Sequence, residues 1–320
     1  MRVTQPTVLL GLLVVTAVAA DGDTLYAGDY LTAGFGARGM ALGGAYSALA
    51  VDAAAPAYNP AGLAFAGNYG GLFMHSSRFA GLVNYDTLAG FWTPDESLGS
   101  FALSWIRTGY DDIKLTRWGE DGRPEVYDVV DSTSNAFQLT YARQLVENLS
   151  AGVTVRYLYD DLVPDTSEGG AVTADGFGFD LGVLWRPSER AGLALVVHDP
   201  YTVKTWSNGT ADTFDPRVVL GGAWGLDLAG IDSVLTLSGD AEFILADYGD
   251  AAQLDLGDIS LDLHGGLELT VADVFSARLG ADRGKLTLGG GVSLWGISLD
   301  YCWLNHELGS THRVSVAVAF

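Results

Sequence analysis

Several stretches of the chain place ionisable side chains where they could act together. Asp262, His264 and Glu268 occupy alternate positions of Ile259–Val271, and Asp240 and Glu242 do the same further upstream. Alternate residues of a strand stand on one face, so Asp262, His264 and Glu268 are expected to cluster. An acid beside a histidine is an acid–base pair, but hydrolysis would also require a placed nucleophile, and no serine lies in a nucleophile motif. Metal ligands of the HExxH kind are absent as well. No catalytic residue, metal site or cofactor is therefore assigned. Arg156, Asp180, Asp240, Glu242, Asp262, His264, Glu268, Arg278 and Asp300 are instead read as lining residues, with Arg107, Arg217 and Arg313 also pointing inward. Two uses of such a lining stay open. One is an ion-paired wall held by charge-assisted hydrogen bonds. The other is a guanidinium that meets a ligand carboxylate in bidentate fashion. Gly289-Gly290-Gly291 lacks the lysine and helix of a phosphate loop and more simply thins a strand to make room for a neighbour. Cys302 reads as a small buried side chain.

The elements that position these groups have period two. Ala151, Val153, Val155, Tyr157 and Tyr159 alternate with Gly152, Thr154, Arg156 and Leu158. Phe177, Phe179, Leu181, Val183 and Trp185 alternate with Gly178, Asp180 and Gly182, and Ile297, Leu299, Tyr301 and Trp303 alternate with Ser298, Asp300 and Cys302. One face is apolar and ends in aromatics, while the other is polar, charged or glycine. A soluble sandwich also alternates. Lipid-facing apolar residues flanked by aromatics, with polar residues inside, are the pattern of an outer-membrane barrel.

Composition agrees. Hydrophobic residues make up 48%, glycines number 42 and charged residues only 18%, yet no stretch after the amino terminus is long and apolar enough for a membrane helix. A membrane protein of this kind has to close as a barrel to satisfy its backbone in lipid. Net charge of −22 excludes nucleic-acid binding, and a single cysteine excludes a disulfide framework. Residues 1–20 read as an export signal, with Arg2, an apolar run Val8–Val18 and small residues Ala17-Val18-Ala19-Ala20. The competing reading is a retained anchor, for which the run is short.

Short turns at Thr93–Ser97, Leu145–Leu149, Pro187–Ala191, Leu226–Ile231, Val271–Val274 and Leu294–Gly296 alternate with generally longer polar loops, among them Gly109–Ser132 and Asp199–Thr213. That rhythm gives an all-β fold, a 14-stranded antiparallel transmembrane β-barrel over residues 69–320, with short turns on the periplasmic side. The last strand, His312 to Phe320, alternates apolar residues and ends on Phe320, the form of a carboxy-terminal insertion signal. A barrel this wide is not filled by its own side chains. Residues 21–68 are available as an amino-terminal hatch that plugs the lumen. Asn59 suits a helix N-cap and Pro60 the first helical position, with a short helix to about Ala64. Gly36, Gly39, Gly43 and Gly44 remove bulk where backbone passes a wall.

The segment Gly36-Ala37-Arg38-Gly39-Met40-Ala41-Leu42-Gly43-Gly44, with Asp52-Ala53-Ala54 and Asn59-Pro60-Ala61-Gly62-Leu63, resembles the amino-terminal signature of the FadL-like superfamily and, within it, that of the PorV/PorQ-type branch. The likeness covers roughly 30 residues. It implies a 14-stranded barrel with an internal hatch, in which Gly36, Arg38, Gly39, Gly43, Gly44, Asp52, Asn59, Pro60 and Ala61 form the hatch or gate. Val51-Asp52-Ala53 lacks the acidic residue that often follows the aspartate in this motif, and the chain has less loop than larger members. FadL relatives take up fatty acids and other hydrophobic compounds. PorV-type relatives serve type IX secretion and carry cargo proteins at the cell surface. The resemblance therefore implies passive transport of hydrophobic, fatty-acid-like small molecules across the bacterial outer membrane, or alternatively a secretion or surface-attachment component. Expected partners are outer-membrane lipids, the barrel-assembly machinery and either a hydrophobic small-molecule ligand or secreted protein cargo.

Overall fold

The computed structural model describes residues 28–78, 81–95, 97–163, 171–229, 232–305 and 309–320. The leader expected over residues 1–20 lies outside them. From residue 69 onward the chain is almost wholly strand. β1 (Tyr69–Arg78), β2 (Val83–Asp95), β3 (Gly99–Trp118) and β4 (Pro124–Val146) come first. β5 (Leu149–Val163), β6 (Val172–Ser188), β7 (Ala191–Trp206) and the short β8 (Ala211–Thr213) follow. Then come β9 (Arg217–Asp227), β10 (Ser233–Ile244), the short β11 (Leu254–Asp255) and β12 (Ser260–Val271). β13 (Phe275–Asp282), β14 (Lys285–Leu294), β15 (Ile297–Leu304) and β16 (Thr311–Ala319) complete the wall.

Each long strand pairs antiparallel with its neighbours in sequence, and β8 and β11 are rim strands that the wall bypasses. β1 pairs with β16 from Gly70↔Ala319 to Ser77↔His312, which closes a 14-stranded barrel. Closure leaves no open edge, the condition for backbone to cross lipid. The seam is locked at its periplasmic end, where Phe320 N–H donates to Tyr69 O (2.9 Å) and Tyr69 N–H to Phe320 O (3.1 Å).

Alternation decides what faces the bilayer. Leu103, Leu139, Val155, Leu193, Leu237, Leu263, Leu267, Leu299 and Val316 are exposed on the outer face. Trp105, Phe137, Tyr157 and Phe177 form a row across β3–β6, with successive ring centroids 6.5, 6.4 and 5.1 Å apart. Phe101 and Tyr141 pair at 5.1 Å nearer the periplasmic end. An apolar belt between two aromatic levels is the exterior of a transmembrane barrel. The protein sits in the bacterial outer membrane.

Three expectations need correction. Gly109–Ser132 is not a loop: β3 runs to Trp118 and β4 starts at Pro124, paired through Trp118↔Pro124. β2 leaves this ribbon at Tyr110 and β5 at Thr133, so its two edges are free beyond the rim. Likewise Asp199–Thr213 is mostly strand, because β7 continues to Trp206 and β8 pairs back onto it. Arg107 points outward, in phase with Phe101, Leu103 and Trp105, and meets Asp86 of β2 at 3.4 Å; Asp86 also meets His75 at 2.7 Å.

Candidate functional site

Residues 28–68 lie inside the barrel in four short helical turns: α1 (Asp29–Thr32), α2 (Ala37–Ala41), α3 (Ala55–Tyr58) and a 3-10 helix (Pro60–Phe65). Ala and Gly bury too little area to fold alone, and this segment gains its order from the wall. Phe35, Leu42, Tyr46, Ala50, Ala53, Ala54 and Leu63 are buried in one cluster with Leu72, Met74, Tyr85, Phe91 and Ile106 of the wall. Asn59 caps the 3-10 helix as expected, accepting from Ala61 N–H at 3.1 Å. Its amide also donates to Ser47 O (3.0 Å) and Val183 O (3.3 Å), joining two parts of the hatch to β6.

Glycines on both surfaces allow this contact. A Cβ on Gly43 would collide with Ala281 backbone, and Gly43 itself holds φ +69°, which a side chain rarely adopts. Gly36 and Gly44 also have positive φ, whereas Gly39 makes room for the Tyr58 hydroxyl within the hatch. On the wall, side chains at Gly152 or Gly182 would enter Pro60 or Asn59, and one at Gly289 would strike Ala41. The neighbour expected for Gly289 is thus the hatch. In the sequence, alternation marks Gly152 and Gly182 only as small inward positions.

Polar contacts pin the hatch around its circumference. Arg38 donates to Glu268 at 3.0 and 2.7 Å; Glu268 also accepts from Arg278, whose guanidinium reaches Asp300 at 2.7 Å. Asp240 Oδ2 accepts from Tyr46 N–H (3.1 Å) and Ser47 N–H (3.0 Å). His264 Nδ1 lies 2.9 Å from Gly43 O, and Thr287 donates to Ala41 O at 3.0 Å. Asp52 stays within the hatch, accepting from the Tyr46 hydroxyl (2.6 Å) and Ala54 N–H (2.8 Å). Burial pushes the Tyr46 phenol well above its ordinary pKa against the opposing pull of Arg38, so it remains a donor.

The expected Asp262–His264–Glu268 cluster does not form. The face was read correctly, but each side chain turns to a different partner. His264 meets Asp282 (3.3 Å) and Glu242 (3.5 Å), Glu268 takes the two arginines, and Asp262 accepts from Gln253 N–H at 2.8 Å. A second network joins Arg156 to Asp180 and, at 2.6 Å, to Asp199; Arg217 bridges Asp199 (3.2 Å) and Glu242 (2.7 Å). Asp199, expected at the start of a loop, lies in the lumen. It is buried because β7 bulges there: His198, Asp199 and Pro200 stand opposite Asp180 alone, with Asp199 at φ +51°. A bulge re-aims side chains, and both His198 and Asp199 face inward. Asp160 and Lys204, also missed, form a buried pair at 2.7 Å. Phe320 packs on Tyr69 with centroids 5.5 Å apart.

These networks make the lumen two-sided. Among the described residues, the one charged side chain that β1–β4 turn into the lumen is Arg78, half-buried at the end of β1; their inner face is otherwise Leu72, Met74, Tyr85, Ala89, Phe91, Ala102, Ile106, Ala136 and Ala142, with hydroxyls and the Gln138 amide between. The ion pairs belong to β5–β16. On the periplasmic side of the hatch a chamber of ≈350 Å³ is lined by Phe35, Leu72, Phe91 and Ala317, with Arg38, Asp52 and Asp300. Two smaller cavities of ≈100 Å³ each lie toward the outer mouth and share Arg217, Glu242, His264 and Asp282. An apolar cavity of about 150 Å³ suffices for benzene; the chamber is larger, with a lining part apolar and part charged.

No family model and no curated protein sequence matches the chain. Solved structures do. The chain is similar to the toluene transporter TodX of Pseudomonas putida, with TM-score 0.63 and 14% identity over 90% of this chain and 99% of that one. It is similar to the toluene transporter TbuX of Ralstonia pickettii at TM-score 0.53 and 12% identity, over 89% and 97% of the two chains. CymD, a monoaromatic hydrocarbon channel, superposes at TM-score 0.55 with 12% identity, over 90% and 98%. At such identities the likeness shows a shared fold.

Proposed function

We propose that this protein is a passive, non-enzymatic channel for hydrophobic small molecules across the outer membrane. The observation that carries the reading is the two-sided lumen. The apolar inner face of β1–β4 runs beside the hatch and opens into the chamber bounded by Phe35, Leu72 and Phe91. An apolar solute is transferred from water to that face with roughly 25 cal/mol per Å² of surface removed from solvent. The ionic half is pinned to the hatch and acts as its anchor. The structural likeness to channels described as carrying toluene or monoaromatic hydrocarbons supports the same class of cargo. The secretion-component alternative gains no support from these likenesses.

The test is uptake of labelled toluene and of a labelled long-chain fatty acid by cells whose own channels are deleted. Expression should raise uptake of at least one. Ala317→Trp, which fills the chamber from β16, should cut that gain roughly tenfold while leaving the amount of folded barrel unchanged. Equal uptake with and without the protein for both solutes would defeat the reading.

A further inference from the structure

Every other buried guanidinium in the lumen has an acid: Arg156 has Asp180 and Asp199, Arg217 has Asp199 and Glu242, and Arg278 has Glu268 and Asp300. Arg78 and Arg313 are different. Arg313, on β16, is 1% exposed, and Arg78 sits at the outer end of β1, half-buried. Among the described residues neither lies within ion-pair distance of a carboxylate. Both donate instead to one backbone oxygen, Ala33 O, at 3.4 Å from Arg78 and still closer from Arg313. Both guanidiniums also lie over the Tyr85 ring, 5.8 and 5.7 Å from its centroid. Arg78 Nε, Arg313 Nε, Arg313 Nη2 and the Tyr85 hydroxyl are all buried without a hydrogen-bond partner.

Two like charges converging on a neutral carbonyl are a costly arrangement. A buried cation without a counter-charge is destabilising unless something compensates it, and orphaned buried donors add to that cost. A carbonyl oxygen carries only a partial charge. What matches two guanidinium forks and a phenol hydroxyl is an oxyanion, which accepts from several N–H groups at once and neutralises charge.

We propose that Arg78, Arg313 and Tyr85 form an oxyanion-binding site near the outer mouth of the lumen, in which Ala33 O holds the place of the anion. The site lies at the edge of the apolar face, beside Met74 and the hatch residues Leu31 and Phe35. Two sources offer the same chemistry: the carboxylate of an apolar solute, or a free inorganic anion. The first deepens the transport reading and rests on it; the second stands without it.

The experiment is calorimetric titration of the purified full-length barrel in neutral detergent with benzoate, inorganic phosphate and, as the uncharged counterpart, benzyl alcohol. Benzoate or phosphate should bind, and binding should weaken roughly tenfold or more in Arg78→Gln and in Arg313→Met. Arg78→Gln, being half-exposed, keeps the test valid should Arg313→Met fail to give the compact band of a folded barrel on unheated gels. Benzoate binding supports the carboxylate source, and phosphate binding alone supports the inorganic one. No binding of either anion, or equal binding by wild type and Arg78→Gln, overturns the site and leaves the arginines as a structural pin on Ala33. Toluene uptake is read in parallel. Anion binding without uptake would discard transport and keep the site, whereas uptake indifferent to Arg78→Gln together with absent binding would do the reverse.

Discussion

Arg278 shows how a single side chain couples the hatch to the wall. Its guanidinium stands between Glu268 and Asp300, and Glu268 in turn holds Arg38 of the hatch. Removing one member of a buried pair is costly mainly because the other is left charged and unsolvated, on the order of 3–5 kcal/mol. In Arg278→Met, Glu268 keeps Arg38 but Asp300 loses its cation. The single variant should therefore lower the urea midpoint of the barrel refolded in vesicles. The double variant Arg278→Met with Asp300→Leu should recover most of the loss. Equal destabilisation in both would mean that the carboxylate of Asp300 is satisfied by other means, and that the relay from Arg38 to Asp300 is not a unit. Asn59 illustrates the same coupling without charge, because one amide caps the 3-10 helix and bonds both Ser47 and Val183.

At the scale of elements, the β3–β4 hairpin behaves as two pieces. Up to Tyr110 and from Thr133 its strands are held on both sides by β2 and β5; beyond, they pair only with each other. Replacing Ile113–Val130 with a two-residue Asp-Gly turn should leave the barrel folded, judged by the compact band on unheated gels. The reason is that no wall pairing is lost. Loss of that band would show that the ribbon contributes to closure. The ribbon also marks where sequence ceased to be legible. Period-two alternation was clear wherever one face meets lipid, as at Ala151–Tyr159, and there face and strand count were read correctly. Above the membrane both faces meet water, so Asp111-Asp112 and the bulges beside them erase the pattern. Arg107 was misplaced for a simpler reason: its phase with Leu103 and Trp105 was available but was outweighed by its charge. Pairing was the other hidden quantity. Alternation states that Asp262, His264 and Glu268 share a face, but partners are set by register with β10 and β13. That register places Asp240 opposite His264 and Arg278 opposite Glu268. Asp199 reads as the start of a loop because a bulge with Pro200 resembles a strand end.

The whole molecule is a wide cylinder whose two inner halves differ, and the hatch inside it touches both. Phe35, Leu42, Tyr46 and Leu63 cluster mainly with β1–β5, while Ala37, Met40 and Ala41 pack on β15 and Ala48 and Ala61 on β6 and β7; the hatch backbone and Arg38 bond to ions and hydroxyls of β5–β16 and to Arg78. This division has a consequence for the empty barrel. The inward wall carries Asp160, Asp180, Asp199, Asp240, Glu242, Asp262, Glu268, Asp282 and Asp300 against Arg78, Arg156, Lys204, Arg217, Arg278 and Arg313. A water-filled lumen with that balance has a negative potential, and a pore lined by one sign of charge concentrates the opposite ion. Deleting residues 28–68 removes the plug without removing a barrel strand, because β1 begins at Tyr69. In planar bilayers the deletion variant should show a large, steady conductance where the intact protein shows little. In a potassium chloride gradient its reversal potential should have the sign of a cation-preferring pore. Raising the salt should weaken that preference, since the Debye length falls from about 10 Å at 0.1 M to about 3 Å at 1 M. Unchanged conductance would mean that the hatch is not what closes the lumen. An anion preference would mean that the acidic half is neutralised when the hatch leaves, with the carboxylates protonated rather than paired.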